Sequence, residues 1–339
     1  IPCSTVVSMF KSVVSVVLLF ITNRISKMVR GSSIFECRWI MVQKRTVGDI
    51  IFDILNYTFF IAFTLICVLP FYYLFINTIS ENSLVSKGLI NFYPKGFHIQ
   101  NYVRIFKNQD LLKSLGVTVS RTVIGTCVST AASGLIGYLV TKKEMWHRKF
   151  FYRFMIITMY FGAGLIPWYT TMQMLGLTNN YLAYIIPGIV SVFNVIMVKT
   201  YIESIPAELE ESASIDGASY WTIFVKIIWP LSKPILATIA IWAAVGHWNS
   251  FQDSLVLMQG NSSLHTLQHR LYIYLTQSSN LGATMGSSSA LTDSQIQNML
   301  DEKTRQYTVA MVTAIPILLV YPFMQRYFEK GIMLGAVKG

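Results

Sequence analysis

The chain has 339 residues, of which 53% are hydrophobic and only 13% charged. A soluble domain carries about twice that charge, so a water-soluble enzyme with a polar shell is excluded. The net charge of +11 sits in short basic blocks between apolar runs, an arrangement that orients membrane proteins rather than one that grips nucleic acid.

Residues 6–22 are apolar but short, interrupted by Lys11 and followed by Arg24, Lys27 and Arg30. Three readings are open: a weak signal sequence, an extra anchor, or sequence upstream of a start at Met41, which begins Met-Val-Gln-Lys-Arg. On the last reading 1–40 is a dispensable leader and 41–339 the transmembrane domain. Six apolar runs of bilayer-crossing length follow, at about 55–79, 115–140, 151–174, 182–201, 235–256 and 309–328. Helix is dictated there, because a lone strand in lipid leaves its backbone unpaired. Pro70, Pro167, Pro187, Pro316 and Pro322 lie within or beside these runs and predict kinks. The expected fold class is an all-α polytopic membrane protein with six core spans. The four cysteines (Cys3, Cys37, Cys67, Cys127) are scattered without a paired motif and read as buried small hydrophobes.

Orientation follows from the basic residues. Segment 141–153 holds five, the leader 23–50 holds six, and the tail carries Arg326, Lys330 and Lys338, whereas loop 175–181 has none. These place both core termini, the second-to-third loop and the fourth-to-fifth loop in the cytoplasm. The first-to-second loop, with Lys87, Lys95, Arg104, Lys107 and Lys113, opposes the trend, but the rule weakens in long loops. Two large external segments result. One, 80–114, contains Tyr93-Pro94-Lys95 and an amphipathic stretch over 101–106. The other, 257–306, is rich in Ser, Asn, Gln and Gly, a composition expected to gain order only against a partner; a passive loop is the equal alternative.

Acid is scarce, yet Glu203, Glu208, Glu210, Glu211 and Asp216 cluster within fourteen residues on the cytoplasmic side. Pro206 suits the start of a helix, and the acids then lie where the helix dipole favours negative charge. Gly217 supplies a backbone break, and an amphipathic stretch over 220–228 follows. Such an element reads equally as a docking helix for a soluble partner or as a solvated, well-capped surface helix.

The pattern extends further. Glu211-Ser212-Ala213, three residues, Gly217, nine residues, Ile227, one residue, Trp229-Pro230 resembles the EAA signature of ABC-importer membrane subunits. The family's usual form is Glu-Ala-Ala, Gly and Ile-x-Leu-Pro, so the chain departs at Ser212 and Trp229. Asp216-Gly217-Ala218, Pro234, Gly246-His247-Trp248-Asn249-Ser250-Phe251 and the tail from Gln325 to Gly339 are similar to the carbohydrate, maltose-permease-like branch.

The resemblance covers about 41–339. It implies a type I permease fold in the bacterial cell membrane, with 203–230 as the coupling loop and Glu208, Glu211, Ser212, Ala213, Asp216, Gly217, Ile227 and Pro230 as its coupling residues. It also implies a second permease subunit, two ATPase subunits below and an extracytoplasmic binding protein above, with an oligosaccharide as cargo. No cofactor is expected on this chain, which has no GxxxxGK[ST] loop; ATP and Mg belong to the ATPases.

Asn194, Trp248 and Asn249 are candidates for the sugar pathway, since pyranose rings stack on aromatics and hydroxyls need amides; helix packing and interface anchoring explain each singly as well. His265 and His269, spaced i, i+4, lack a nearby third metal ligand. An ion-coupled secondary transporter is the rival reading. It calls for ion-coupling carboxylates or broken helices near mid-membrane, and the six runs contain essentially no Asp or Glu, which counts against proton or sodium coupling.

Overall fold

The computed structural model describes residues 47–285 and 303–320. Among the described residues the regular structure is helical and no strand occurs. The leader 1–40, Cys3, Cys37, residues 286–302 of the outer segment and the tail beyond 320 lie outside the described residues. Two compact units divide within the third helix, after Val103.

The first unit holds α1 (Val47–Thr78), the short α2 (Asn82–Ser86) and a helix over 303–320. Leu55, Phe59 and Ile66 of α1 are each more than half exposed, the surface an all-round apolar helix offers to lipid. Its C-terminal end is anchored. Ile76, Val85 and Ile90 form a small core against Tyr307, and Asn101 Nδ2 donates to the Thr78 carbonyl and to Asn82 Oδ1, both at 3.0 Å. The expected amphipathic stretch is α3 (Gln100–Lys107), with Asn101 and Ile105 buried and Val103 and Phe106 exposed.

The second unit is built on α4 (Gln109–Thr141). Asn108 caps it, its side chain accepting from the amides of Asp110 at 3.0 Å and Leu111 at 3.3 Å. Its buried residues recur every three or four positions: Ser114, Thr118, Arg121, Gly125, Ser129, Ser133, Gly137. Small residues on one stripe let membrane helices approach closely. A Cβ at Gly137 would lie 2.7 Å from Val198 of α7 (Val192–Ile202), and one at Gly125 would lie 2.5 Å from the His247 ring of α10 (Lys233–Asn249). The opposite face is exposed at Val119, Val123 and Cys127. Cys127 is therefore not the buried hydrophobe expected of it, and Cys67 is only half-buried; a thiol is apolar enough to face lipid.

The apolar runs are broken more sharply than proline kinks alone would give. Among the described residues two helices are long and apolar enough to cross a membrane, α1 and α4, and up to four spans result if each of two bent pairs is one span. The run 151–174 divides into α5 (Arg148–Tyr160) and α6 (Leu165–Met174), separated by 161–164, where Gly164 adopts φ 89°. The run 182–201 begins as 3-10 turns (Tyr181–Tyr184, Ile186–Gly188) and bends by 43° into α7. The run 235–256 ends α10 at Asn249 and restarts as α11 (Gln252–Leu257). Glycine and proline supply the first two breaks.

The outer segment is also more ordered than its composition suggests. A 3-10 turn (Ser262–Leu264) and α12 (Leu267–Met285) occupy its first half. The Leu267 amide donates to Thr118 Oγ1 at 2.8 Å, and the Tyr184 hydroxyl donates to the Leu264 carbonyl at 2.7 Å. Residues 264–267 are thus tied to the chain's own core.

Candidate functional site

The acidic segment folds as α8 (Glu208–Ile215), one residue after the Pro206-Ala207 entry. Glu208, Glu210 and Glu211 occupy its first turn, where free amides and the dipole favour anions. At the other end the Ala218 amide donates to the Ala213 carbonyl at 3.0 Å and the Gly217 amide to the Ser214 carbonyl at 3.1 Å. These are the paired bonds of a Schellman turn. It requires a left-handed residue at Gly217, whose φ is 79°. Ala213 and Ala218 pack together against the core of Ile202, Ile223 and Ile228. Two signature positions therefore carry helix-stop chemistry, while Glu208, Glu211, Ser212 and Asp216 stay exposed. Lys142 pairs with Glu210 and lies 4.3 Å over the Tyr138 ring, tying α8 to the end of α4.

The second half of the signature forms α9 (Tyr220–Leu231), which contains a π turn over Phe224–Ile228. The Trp229 amide reaches back to the Phe224 carbonyl. This wide turn directly precedes Pro230, whose ring collides with the carbonyl four residues earlier in a regular helix. The chain then turns by 79° into α10. Ile227 is half-buried and Pro230 exposed. Trp229, the larger departure from the usual signature, is received by Gly134 of α4: a Cβ there would lie 2.7 Å from Trp229 Cζ3.

The other feature of this unit is a cavity of about 540 Å³ lined by Arg121, Trp168, Tyr184, Asn194, Trp242 and Asp253, among others. Sequence reasoning singled out only Asn194 from this set. Trp248, which is buried, and Asn249, whose Oδ1 accepts from Gln268 Nε2 at 3.4 Å, are not among its lining residues. A second cavity, about 680 Å³, shares Trp168, Ser250 and Asp253 with it and is lined by Gly162, Ala163 and Gly164 of the break between α5 and α6. Irregular backbone at membrane depth is tolerated where it lines such a space.

Arg121 is 2% exposed. Its Nη1 and Nη2 donate to Asp253 Oδ1 at 3.1 Å and Oδ2 at 2.5 Å, Nη1 also reaches the Ser250 carbonyl at 3.4 Å, and Cζ lies 4.4 Å over the Tyr184 ring. Asp253 Oδ1 further accepts from the Ser250 hydroxyl at 3.0 Å and the Ser254 amide at 2.9 Å. The view that the apolar runs hold essentially no acid is corrected here. Asp253 lies inside 235–256, but as the counter-ion of an arginine rather than as a lone titrating carboxylate. An arginine within an apolar run is a visible flag, because charge in a span is costly and marks pathways; its partner 132 residues away is not visible.

His265 and His269 do come together, with ring centroids 4.1 Å apart. His269 Nδ1 shares a hydrogen bond with Ser254 Oγ at 2.9 Å and His265 Nε2 one with the Met258 carbonyl at 3.1 Å. Both rings thus bind α11 and the loop after it.

The family described as binding-protein-dependent transport system inner membrane component matches residues 29–334. The polygalacturonan/rhamnogalacturonan transport system permease protein YtcP of Bacillus subtilis is 37% identical over 85% of this chain and 99% of its own length. Protein LplC of the same organism is 34% identical, over 88% of this chain and 99% of its own. Among solved structures, a chain of a bacterial ABC transporter involved in the import of the acidic polysaccharide alginate is similar with a TM-score of 0.73 and 28% identity. That match covers 84% of this chain and 99% of the other.

Proposed function

The chain belongs to the family of binding-protein-dependent transport system inner membrane components, and we propose that it is the permease subunit of an ATP-driven importer of oligosaccharides. It forms half of a translocation pore with a second permease, spans the membrane six times with both core termini in the cytoplasm, and takes its energy from two ATPase subunits that bind ATP and Mg. The relatives named for polygalacturonan, rhamnogalacturonan and alginate transport support a polysaccharide-derived cargo. Loop 203–230 is the coupling element, and the outer segment 257–306 faces the binding protein.

The observation that carries this reading is the exposed acidic face of α8, closed by a Schellman turn and seated through Ala213 and Ala218 on the core. Glu208, Glu211, Ser212 and Asp216 offer their side chains to the ATPase. Ala213, Ile227 and Pro230 set the direction of the helix pair. Gly217 adopts φ 79°, so a bulky residue there strains the backbone by about 1–2 kcal/mol, and the open space on its Cβ side lets the side chain intrude on a docked ATPase. Asn194 lines the sugar pathway, with Trp248 and Asn249 supporting its wall from α10.

The test is to purify the transporter carrying Glu211→Lys or Gly217→Val and measure ATPase stoichiometry, ATP turnover and oligosaccharide uptake together. Both variants are expected to insert and pair with the second permease, yet to lose ATPase subunits or to hydrolyse ATP without moving sugar. Normal uptake in both overturns the coupling assignment.

A further inference from the structure

A guanidinium has five N–H donors. Those of Arg121 that the structure engages point to Asp253 and Ser250, and Nε, fully buried, has no hydrogen-bond partner. Buried donors left unmatched are rare and call for an explanation. Asp253 has no such deficit, because its two oxygens accept from Arg121, Ser250 and Ser254. The unsatisfied capacity of the pair is therefore on the cationic side. The two partners also differ in access: Arg121 is 2% exposed at its side chain and Asp253 16%. Asp253 stands on the short α11, just after the break at Ser250-Phe251, and is shared by both cavities. The carboxylate is thus the replaceable partner, and the arginine is the fixed one.

The rest of the wall suits a sugar ring. Trp168 and Trp242 line the same cavity as Asn194, and Tyr184 lies beneath the Arg121 guanidinium. Arg is favoured over Lys wherever a planar carboxylate is held by two parallel bonds.

We propose that Arg121 is the specificity-determining residue for an acidic cargo, receiving the carboxylate of a uronosyl ring in exchange for Asp253. Asp253 is the internal stand-in for that carboxylate, keeping the buried guanidinium neutralised while the pathway is empty. Exchange swaps one carboxylate for another, so the charge at Arg121 is balanced before and after. The proposal rests on the reading of the chain as an oligosaccharide permease.

Binding to the detergent-purified transporter, without its binding protein, is to be followed by tryptophan fluorescence using trigalacturonate, trimannuronate and neutral galactotriose. The carboxylate is common to both acidic probes, and comparing them identifies which polymer supplies the ring. Wild type is expected to bind at least one acidic probe roughly tenfold or more tightly than galactotriose. Arg121→Gln should bring acidic and neutral probes to parity, the acidic probes losing far more affinity than galactotriose. Asp253→Asn weakens the internal competitor and should tighten acidic binding. Parity in wild type, a parallel loss of all three probes in Arg121→Gln, or an unchanged acidic preference in that variant overturns the proposal. Should Arg121→Gln fail to assemble, Arg121→Lys decides instead: it keeps the charge without the fork, and a selective loss of acidic binding is required. Uptake of each oligosaccharide by the complete transporter in liposomes is measured separately. Transport without acidic preference refutes only the role of Arg121, whereas no oligosaccharide transport refutes the permease assignment.

Discussion

Glu208, Glu210 and Glu211 on the first turn of α8 and the Arg121–Asp253 pair under α11 are two placements of charge in one chain. The acids of α8 keep their water, and the free amides of the helix start favour them; only Glu210 is tied down, by Lys142. Arg121 has left water almost completely and is compensated by a carboxylate 132 residues away, a carbonyl and a tyrosine ring. The first arrangement leaves charge free for a partner. The second arrangement fixes the geometry of a cavity, because an isolated buried ion is far too costly to persist. Exposed charge is thus a local property of a helix end, and buried charge is a property of the whole packing.

The largest expected effect tests the buried side. Asp253→Ala leaves Arg121 uncompensated and should destabilise the protein by about 3–5 kcal/mol, whereas the double change Arg121→Met with Asp253→Leu should recover most of that loss. Thermal unfolding of the purified protein measures it. Additive single and double effects would show that the pair is not the unit described here.

His269 is a buried group of the other kind, held neutral rather than paired. Burial, with the charges of His265 and Arg270 adding to it, pushes its pKa down to about 4 from 6.5. The unfolded chain therefore takes the proton first as pH falls. The contribution to stability is full above about pH 6.5 and is lost progressively towards pH 4. His269→Gln should flatten the decline of melting temperature across that window. An unchanged pH slope would mean that the ring is hydrated.

Gly134 links the two regions, since Trp229 of the exposed segment rests where Gly134 has no side chain. Gly134→Ala should cost about 1–3 kcal/mol by overpacking, and Trp229→Leu in the same chain should restore most of it. Failure of that rescue would place the clash elsewhere, at Leu236, the other neighbour of that site. The smallest effect is expected on the exposed side: Glu208→Gln should cost no more than about 0.3–1 kcal/mol and shrink further in high salt. A larger, salt-independent loss would erase the contrast between the two regions.

Much of the acidic segment was legible because its chemistry is local. The α8 start follows from Pro206 and the acids behind it, and its stop from Gly217, around which the Gly217 and Ala218 amides reach back only to Ser214 and Ala213. Of the three residues proposed for the sugar pathway, only Asn194 lines the cavity, and Trp248 and Asn249 fell outside its lining. Apolar run length showed where membrane helices lie, but it averages over Gly162, Gly164, Pro187 and Ser250, where the helices break. Polar composition likewise suggested a loose outer segment, although Thr118 and Tyr184 hold residues 264–267 in place.

The sequence by itself determined the membrane class, the family signature and the capped acidic helix, because hydropathy and helix-end hydrogen bonds depend on residues within a turn or two of one another. Only the tertiary structure decided that Arg121 meets Asp253, that Gly134 receives Trp229, and that the broken segment at 161–164 lines a cavity. Those outcomes depend on which helix faces return to one another, and neighbours in sequence carry no record of that.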